Sequence, residues 1–303
     1  MSQELATLLG QLADSSQPIA HASLKLLSAL EGAAAQLFAA GWASIAVERR
    51  RAVMKALDDL AEESVDFDFQ AVFQFCLTDS DAEIRVAALD GLWEDERPAL
   101  LRRMLELMAD PSGEVRAAVA LGLGRFSYRA ALGELREEQS TLLYQVLLAH
   151  ATDPEEPIEV RRRAIEALGY FADHPEGQAE IGRAYAHSEP LMRESAVTAM
   201  GRSMRPVWYP YIKRELQSPS PALRYEAARA VGELGEDGQQ MVSALLPLVD
   251  DDDIEISEAA IWALGQVGGA GARRVLQRLV RSNDAERRQA AEEAISELEL
   301  DGL

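Results

Sequence analysis

Hydrophobic and polar positions along the chain recur in a block typical of an amphipathic helix. The block reads hydrophobic residue, arginine, two variable residues, a small apolar residue that is usually alanine and, in most copies, a glycine eight residues after the arginine. We call the arginine position the anchor, and it is occupied in turn by Arg85, Arg116, Arg161, Arg193, Arg224, Ser257 and Arg287. The steps between anchors are 31, 45, 32, 31, 33 and 30 residues. A period of this length indicates a stacked helical repeat, so function is expected on a surface.

Each repeat is predicted to hold two helices, with the anchor on the second. In one repeat an amphipathic run at 209–216 is followed by a Ser-Pro-Ser-Pro turn and a second run at 222–234. Four residues before an anchor stand side chains of the helix N-cap class: Asp81, Ser112, Ser220, Asp253 and Asn283. Glycines eight residues after an anchor are expected to permit close helix approach or to assist helix termination: Gly124, Gly169, Gly201, Gly232 and Gly265. The sequence therefore predicts an all-α fold.

Charge and composition narrow the classes of partner. The 51 acidic and 30 basic residues give a net charge of −21, which repels phosphate backbones and predicts no nucleic-acid partner. The one cysteine, Cys76, has no internal disulfide partner, which fits a reducing compartment. No long uninterrupted apolar run and no basic leader were found, so we expect no membrane association and a cytoplasmic location.

The repeats resemble the HEAT-repeat superfamily, specifically the short HEAT-like units named after phycobilisome lyases. The resemblance rests on stretches such as 160–169 (VRRRAIEALG) and 223–232 (LRYEAARAVG), and it covers about 70–295. It implies an α-α superhelix (HEAT/armadillo-like solenoid) of about eight helical hairpins, whose second helices line the concave face. We expect a single solenoid over 1–303, with divergent capping repeats at 1–69 and an insertion near 126–140 inside the 45-residue step. The run 48–52 (ERRRA) is interpreted as a worn copy of the block.

The anchor arginines are expected to pair with acidic residues in the turns of their own or adjacent repeats. The alternative is a stripe of free arginines for anionic ligands. Because Ser257 replaces an arginine, the acidic run at 250–253 is expected to have less local positive charge. Whether that run binds an ion stays open, although calcium-loop spacing is absent.

No catalytic, metal or cofactor site is predicted. The histidines are followed by Ala22, Ala151, Pro175 and Ser188, so the paired His-Glu dipeptides of the HEAT-repeat enzyme deoxyhypusine hydroxylase are missing. The scattered histidines and the lone Cys76 do not form a zinc pattern, and no phosphate-binding loop or nucleophile elbow occurs. Two enzymatic alternatives come from the resemblance alone: a lyase or chaperone subunit that handles a bilin-type group, and a DNA glycosylase, which the net charge disfavours.

Residues two, five and nine positions after each anchor are expected to point away from the packed side of the second helix. Together with one residue beside them, they give a candidate binding strip, which contains Arg163, Glu166, Tyr170, Arg202, Tyr225, Glu226, Arg229 and Trp262. Aromatic residues and arginine dominate binding hot spots. The alternative is structural: charged residues three apart pair on one helix, and the aromatic residues belong to helix ends and the inter-repeat core.

The sequence therefore predicts a non-catalytic scaffold that binds a protein or peptide with a basic or mixed surface. The bilin-handling subunit is the main alternative, and a purely structural or assembly role is another.

Overall fold

The computed structural model describes residues 2–64 and 66–300. These residues hold eighteen α-helices and no β-strand. Contacts divide the chain into two compact units, 1–122 and 123–303, each described by itself below. The prediction of an all-α helical repeat fold is confirmed.

The described residues of the first unit form seven helices and the start of an eighth. They are α1 (Ser2–Ala13), α2 (His21–Leu24), α3 (Gly32–Trp42), α4 (Val47–Glu63), α5 (Gln70–Cys76), α6 (Ala82–Asp90), α7 (Pro98–Leu107) and α8 (Gly113–Ala131). Helix α3 packs on α1 and α5, and α4 packs on α6. A single 3-10 turn, Lys25–Leu27, follows α2.

In the second unit, residues 123–300 form the rest of α8 and ten further helices. They are α9 (Glu137–Thr152), α10 (Ile158–Leu168), α11 (Pro175–Tyr185), α12 (Pro190–Ser203), α13 (Tyr209–Glu215), α14 (Pro221–Glu233), α15 (Val242–Leu245), α16 (Ile254–Val267), α17 (Gly269–Leu279) and α18 (Ala285–Leu300). Three 3-10 turns join them, at Pro206–Trp208, Gly235–Met241 and Leu248–Asp250. The extra residues of the 45-residue step lengthen α8 and α9, which have 19 and 16 residues.

The second helices of successive repeats form one layer, because α10, α12, α14, α16 and α18 each pack on the next. Glycines set the spacing of this layer. A Cβ atom on Gly169 would lie 2.7 Å from the backbone oxygen of Ala199, and one on Gly201 would lie 2.7 Å from the Cα of Ala230. At these two steps the glycine therefore brings neighbouring second helices into direct backbone contact.

Two anchor arginines pair with an aspartate in the turn of the following repeat. The Nε and Nη2 atoms of Arg85 donate to the two carboxylate oxygens of Asp110 at 2.8 and 2.6 Å. Arg224 donates to the carboxylate of Asp251 in the same way, at 3.0 and 3.3 Å. Bidentate geometry is the strongest form of such a pair, and both partners are largely buried. The predicted arginine–carboxylate contacts are therefore present at these two steps.

The worn copy of the block at 48–52 makes an equivalent contact. Arg50 on α4 donates to the carboxylate of Asp79, which also accepts a hydrogen bond from the indole N–H of Trp42 at 2.7 Å. The side chain of Arg50 is 12% exposed and that of Asp79 is 1% exposed. The arginine–aspartate pairing thus begins before the repeats that the sequence pattern shows clearly.

The acidic run at 250–253 has more positive charge near it than the replacement of an arginine by Ser257 predicted. Arg224 reaches Asp251 from the preceding repeat. From the following repeat, Arg287 donates to the Ser257 hydroxyl at 3.2 Å and to the backbone oxygen of Asp251 at 2.8 Å. The expectation of less local positive charge is wrong, because Arg287 also lies 3.9 Å from the Asp250 carboxylate.

The predicted N-cap residues are confirmed at three helices. Asp81, Ser220 and Asp253 each accept a hydrogen bond from a backbone N–H in the first turn of α6, α14 and α16. Asn283 was the wrong residue for α18, since Asp284 accepts the N–H groups of Glu286 and Arg287.

Within the described ranges, no helix combines the length and the apolar character that crossing a bilayer requires.

Candidate binding surface

The eight strip residues lie on the layer of second helices in the second unit. Arg163 and Glu166 are on α10, with Tyr170 just beyond its end, and the other five are on α12, α14 and α16. None is freely exposed, since Glu166 is buried and the others are half-buried. They are less exposed than predicted, because adjacent second helices approach so closely that several of these side chains contact a neighbouring repeat. These are Glu166, Arg202, Arg229 and Trp262.

Glu166 is the most heavily bonded member of the strip. Its carboxylate accepts hydrogen bonds from Arg163 at 2.9 Å, from Arg162 at 3.3 Å and from the Ser195 hydroxyl at 2.6 Å. The predicted alternative, pairing of residues three apart on one helix, is thus present for Arg163 and Glu166. This carboxylate holds α10 against α12 and is already satisfied.

The same contact recurs at the next step. The Thr198 hydroxyl, five positions after its anchor, donates to the Glu226 carboxylate, two positions after the following anchor, at 2.7 Å. Glu166 and Ser195 occupy the corresponding positions one repeat earlier. Position five of one repeat therefore bonds to position two of the next along α10, α12 and α14.

The series changes at Arg229, the next residue in position five. Its partner position holds Ala259, whose side chain has no polar group. Among the described residues Arg229 makes no ion pair within 4.0 Å, so the alternative of pairing with Glu226 on the same helix is absent here, and Glu226 accepts from Thr198 instead. The guanidinium carbon instead lies 3.7 Å from the ring centroid of Trp262 on α16. Arg229 is held by a cation–π contact with Trp262.

A second arginine–aromatic contact lies at the other end of the strip. Arg202 places its guanidinium 5.2 Å from the ring of Tyr170 and donates to the backbone oxygen of Glu166 at 3.1 Å. The ring of Tyr170 also packs edge-on against Tyr128, a half-exposed residue of α8. Tyr170 is therefore fixed by neighbours on both sides.

Trp262 lines two open cavities with acidic walls. One, of about 410 Å³, is lined by Tyr225, Arg229, Glu255, Glu258, Ala259 and Trp262. The other, of about 250 Å³, is lined by Trp262, Glu258, Glu286, Gln289, Glu293 and Glu297, with Ala290 and Ala294. The indole thus borders both cavities, and each cavity has at least two glutamates in its lining.

Comparison with family models identifies these helical pairs. The model described as HEAT repeats matches residues 69–140 and 209–296, which together make up more than half of the chain. The chain belongs to the HEAT repeat family. No curated protein sequence matches it.

Solved structures share the fold of these HEAT repeats. A structure of Kap95p with RanGDP matches 98% of this chain and 45% of that chain, at 17% identity and a TM-score of 0.51. The complex of CpcE and CpcF of phycocyanin lyase from Nostoc sp. PCC7120 matches 67% of this chain and 81% of that one, at 15% identity and a TM-score of 0.46. Human deoxyhypusine hydroxylase in complex with glycerol matches 99% and 97%, at 18% identity and a TM-score of 0.32. At these identities the similarity concerns the fold alone.

Sequence reasoning missed several neighbours of the strip on the HEAT repeats. Ser195 and Thr198 lie two and five positions after the anchor Arg193, which are strip positions. Their residue types did not indicate a role, since small hydroxyl residues are common on helices. Glu258 and Glu293 lie in one cavity with Trp262 because α16 packs on α18, and no local spacing in the sequence indicates this. Across the parts of the chain that the structure covers, no group of three or more His, Cys, Asp or Glu side chains is arranged to hold a metal ion.

The half-buried carboxyl of Glu226 gives the HEAT layer a pH-dependent stability. Burial raises its pKa above the ordinary value of 4.5, and Glu166 and Glu194 raise it further, against the opposing effects of the Thr198 hydrogen bond and Arg202. A raised pKa means that the folded state holds the proton more tightly than the unfolded chain. The stability contribution of Glu226 is therefore full below pH 4.5 and is lost as the pH rises through the folded pKa.

We expect Glu226→Gln to raise the melting temperature at neutral pH, because glutamine can still accept the Thr198 hydrogen bond without carrying a charge. The difference from wild type should disappear below pH 4.5, where Glu226 is protonated in both states. Thermal melts at a series of pH values measure this. The control is Glu233→Gln, the same change at an exposed position of α14. Equal effects of the two substitutions at every pH would contradict the assignment.

Proposed function

We propose that the chain is a non-catalytic binding scaffold, and that the strip on its second helices holds a protein or peptide segment that carries arginine or lysine. The HEAT-repeat fold supports a helical scaffold in general. The narrower proposal depends on the surroundings of Trp262.

The contact between Arg229 and Trp262 is the observation that carries the proposal. At this step the hydrogen-bond series between helices stops, and a guanidinium of the chain itself lies 3.7 Å from the indole ring. The ring also borders a cavity of about 250 Å³ whose charged lining residues are all glutamates. An aromatic surface with carboxylates around it is suited to a second cationic side chain.

The charge of the chain favours the same partner. A net charge of −21 attracts basic segments over a distance, which raises the rate of encounter. Long-range attraction brings a basic segment to the protein but does not determine where it binds. Contact of its cationic side chains with the Trp262 indole would determine the binding position. Tyr170 with Arg202 offers a second aromatic element farther along the strip.

The test measures binding of a fluorescently labelled peptide of alternating arginine and glycine by fluorescence anisotropy. We expect wild type to bind this peptide and not its glutamate counterpart. Trp262→Ala should weaken binding about tenfold or more, as truncation of a hot-spot residue does. Because this substitution leaves the net charge unchanged, its effect cannot come from the general field.

Two controls complete the experiment. Trp262→Phe keeps an aromatic ring against Gly232 and should retain most of the affinity, which separates loss of binding from loss of folding. Arg274→Ala changes an exposed residue of α17 and should have no effect. If Trp262→Ala binds the basic peptide as well as wild type does, the strip is not the binding surface.

The other functions suggested by the sequence remain predictions. The likeness to phycocyanin lyase concerns the fold and gives no support to bilin handling. An assembly role predicts a concentration-dependent oligomer, which light scattering would detect.

A further inference from the structure

The aspartates that pair with anchor arginines have two tasks. Asp110 lies six residues before an anchor, and its Oδ1 accepts the backbone N–H of Ser112, two residues on, at 2.9 Å. Asp251 occupies the same position and accepts the N–H of Asp253 at 3.1 Å. Each carboxylate thus shapes its own turn and also accepts the arginine of the preceding repeat.

At one step this position is occupied by a histidine. His187 lies six residues before Arg193, and its Nδ1 accepts the N–H of Glu189, again two residues on, at 3.0 Å. An imidazole whose Nδ1 accepts a hydrogen bond carries its proton on Nε2. His187 therefore keeps the turn, but it offers a donor where aspartate offers an acceptor.

Arg161, the anchor that should meet position 187, consequently lacks a carboxylate. Among the described residues it makes one hydrogen bond, from Nε to the backbone oxygen of Ala151 at 3.4 Å, and no ion pair within 4.0 Å. The side chain is half-buried, so its exposure to water is reduced. The anchors Arg85, Arg193, Arg224 and Arg287 all have a carboxylate within that distance.

Arg161 and His187 face an open cavity of about 380 Å³, which is also lined by Thr152, Glu180, Arg183, Ala184 and Met192. The one carboxylate in the lining, Glu180, accepts a hydrogen bond from Arg183 Nε at 2.6 Å. This pair neutralises itself, which leaves the charge of Arg161 unmatched. The cavity is thus a positively charged place on an acidic protein.

We propose that this cavity is a binding site for a small oxyanion, either a phosphate group or a carboxylate. Both groups present oxygens that accept from a guanidinium and from an imidazole N–H. Among the described residues, the Nη atoms of Arg161 and the Nε2 atom of His187 donate to no protein acceptor. The bound oxygen would take the place that the aspartate oxygen has at the corresponding steps. The site is separate from the strip and does not depend on the proposed function.

The test titrates the full chain with inorganic phosphate and, in a second arm, with acetate, by isothermal titration calorimetry at constant ionic strength set with sodium chloride. We expect a dissociation constant on the order of 1 mM for at least one of them. The arm in which binding is measured shows whether the site takes a phosphate group or a carboxylate.

Two variants make the test specific. Arg161→Gln removes the guanidinium, and His187→Asp restores the carboxylate found at the corresponding positions of other repeats. Both should weaken binding at least about tenfold. His187→Asp should also melt at a higher temperature than wild type without added anion, because Arg161 then has a partner within the chain. His21→Asp, the same substitution at an exposed position, is the matched control and should change neither property.

The binding results of the wild type and the three variants decide between presence and absence of the site. Binding by wild type and by His21→Asp that both site variants lose supports the site. No binding of either probe by wild type, or binding that survives in either site variant, overturns it. The higher melting temperature of His187→Asp also excludes the explanation that this variant fails to bind because it is misfolded.

Discussion

Replacing Arg85 by methionine is expected to lower the free energy of unfolding by about 3–5 kcal/mol, which is the usual cost of breaking a buried ion pair from one side. Arg85 and Asp110 are 8% and 9% exposed. Methionine fills similar space, so most of the loss comes from leaving the Asp110 carboxylate buried without its counter-ion. Urea denaturation followed by circular dichroism measures the change.

The control is Arg103→Met, which breaks a pair between Arg103 and Glu106 on one helix, with side chains 37% and 57% exposed. Exposed pairs of this kind contribute about 0–1 kcal/mol. The double variant Arg85→Met with Asp110→Asn should recover part of the loss, since no charge remains buried. Similar small effects of Arg85→Met and Arg103→Met would show that the buried pair contributes little.

Replacing Gly201 by alanine is expected to cost about 2–3 kcal/mol, at the upper end of the overpacking range. The new Cβ would lie 2.7 Å from the Cα and 2.8 Å from the Cβ of Ala230. Because a backbone atom cannot rotate away as a side chain can, α12 and α14 would have to separate. Each repeat contacts mainly its neighbours, so hydrogen exchange should increase first in these two helices.

Gly124 provides the opposite case. It lies within α8, and a Cβ there would meet no atom within 4 Å. Gly124→Ala should therefore stabilise the chain by about 0.5–1 kcal/mol through helix propensity alone. The two substitutions are chemically identical, and effects of the same sign would refute the role of the repeated glycine in helix spacing.

The repeat, the arginine anchors and the glycines could be predicted because each depends on local spacing that is copied down the chain. The pairing of Arg85 with Asp110 could be predicted as well, because the turns of adjacent repeats lie next to each other. The exposure of the strip could not be predicted in the same way. It depends on how closely α14 approaches α16, and Gly232 lets the Trp262 ring occupy the space where a Cβ would lie.

Arg229 illustrates a second limit of sequence reasoning. Its spacing from Glu226 allowed an ion pair on one helix as the structural alternative, yet the carboxylate accepts from Thr198 and the guanidinium packs on Trp262. Both contacts cross to a neighbouring helix. Spacing along one helix indicates which side chains can meet, but the adjacent repeats decide which of them do.

The cross-repeat pairing gives the array a direction. An arginine on one hairpin is completed by an acid that belongs to the hairpin after it, as Arg224 is by Asp251. A shortened chain that ends before Asp251 would leave the Arg224 guanidinium without its carboxylate. One that begins after Arg224 would leave the Asp251 carboxylate without that arginine. Hairpins transplanted into another array should therefore be joined so that every donor keeps its downstream acceptor.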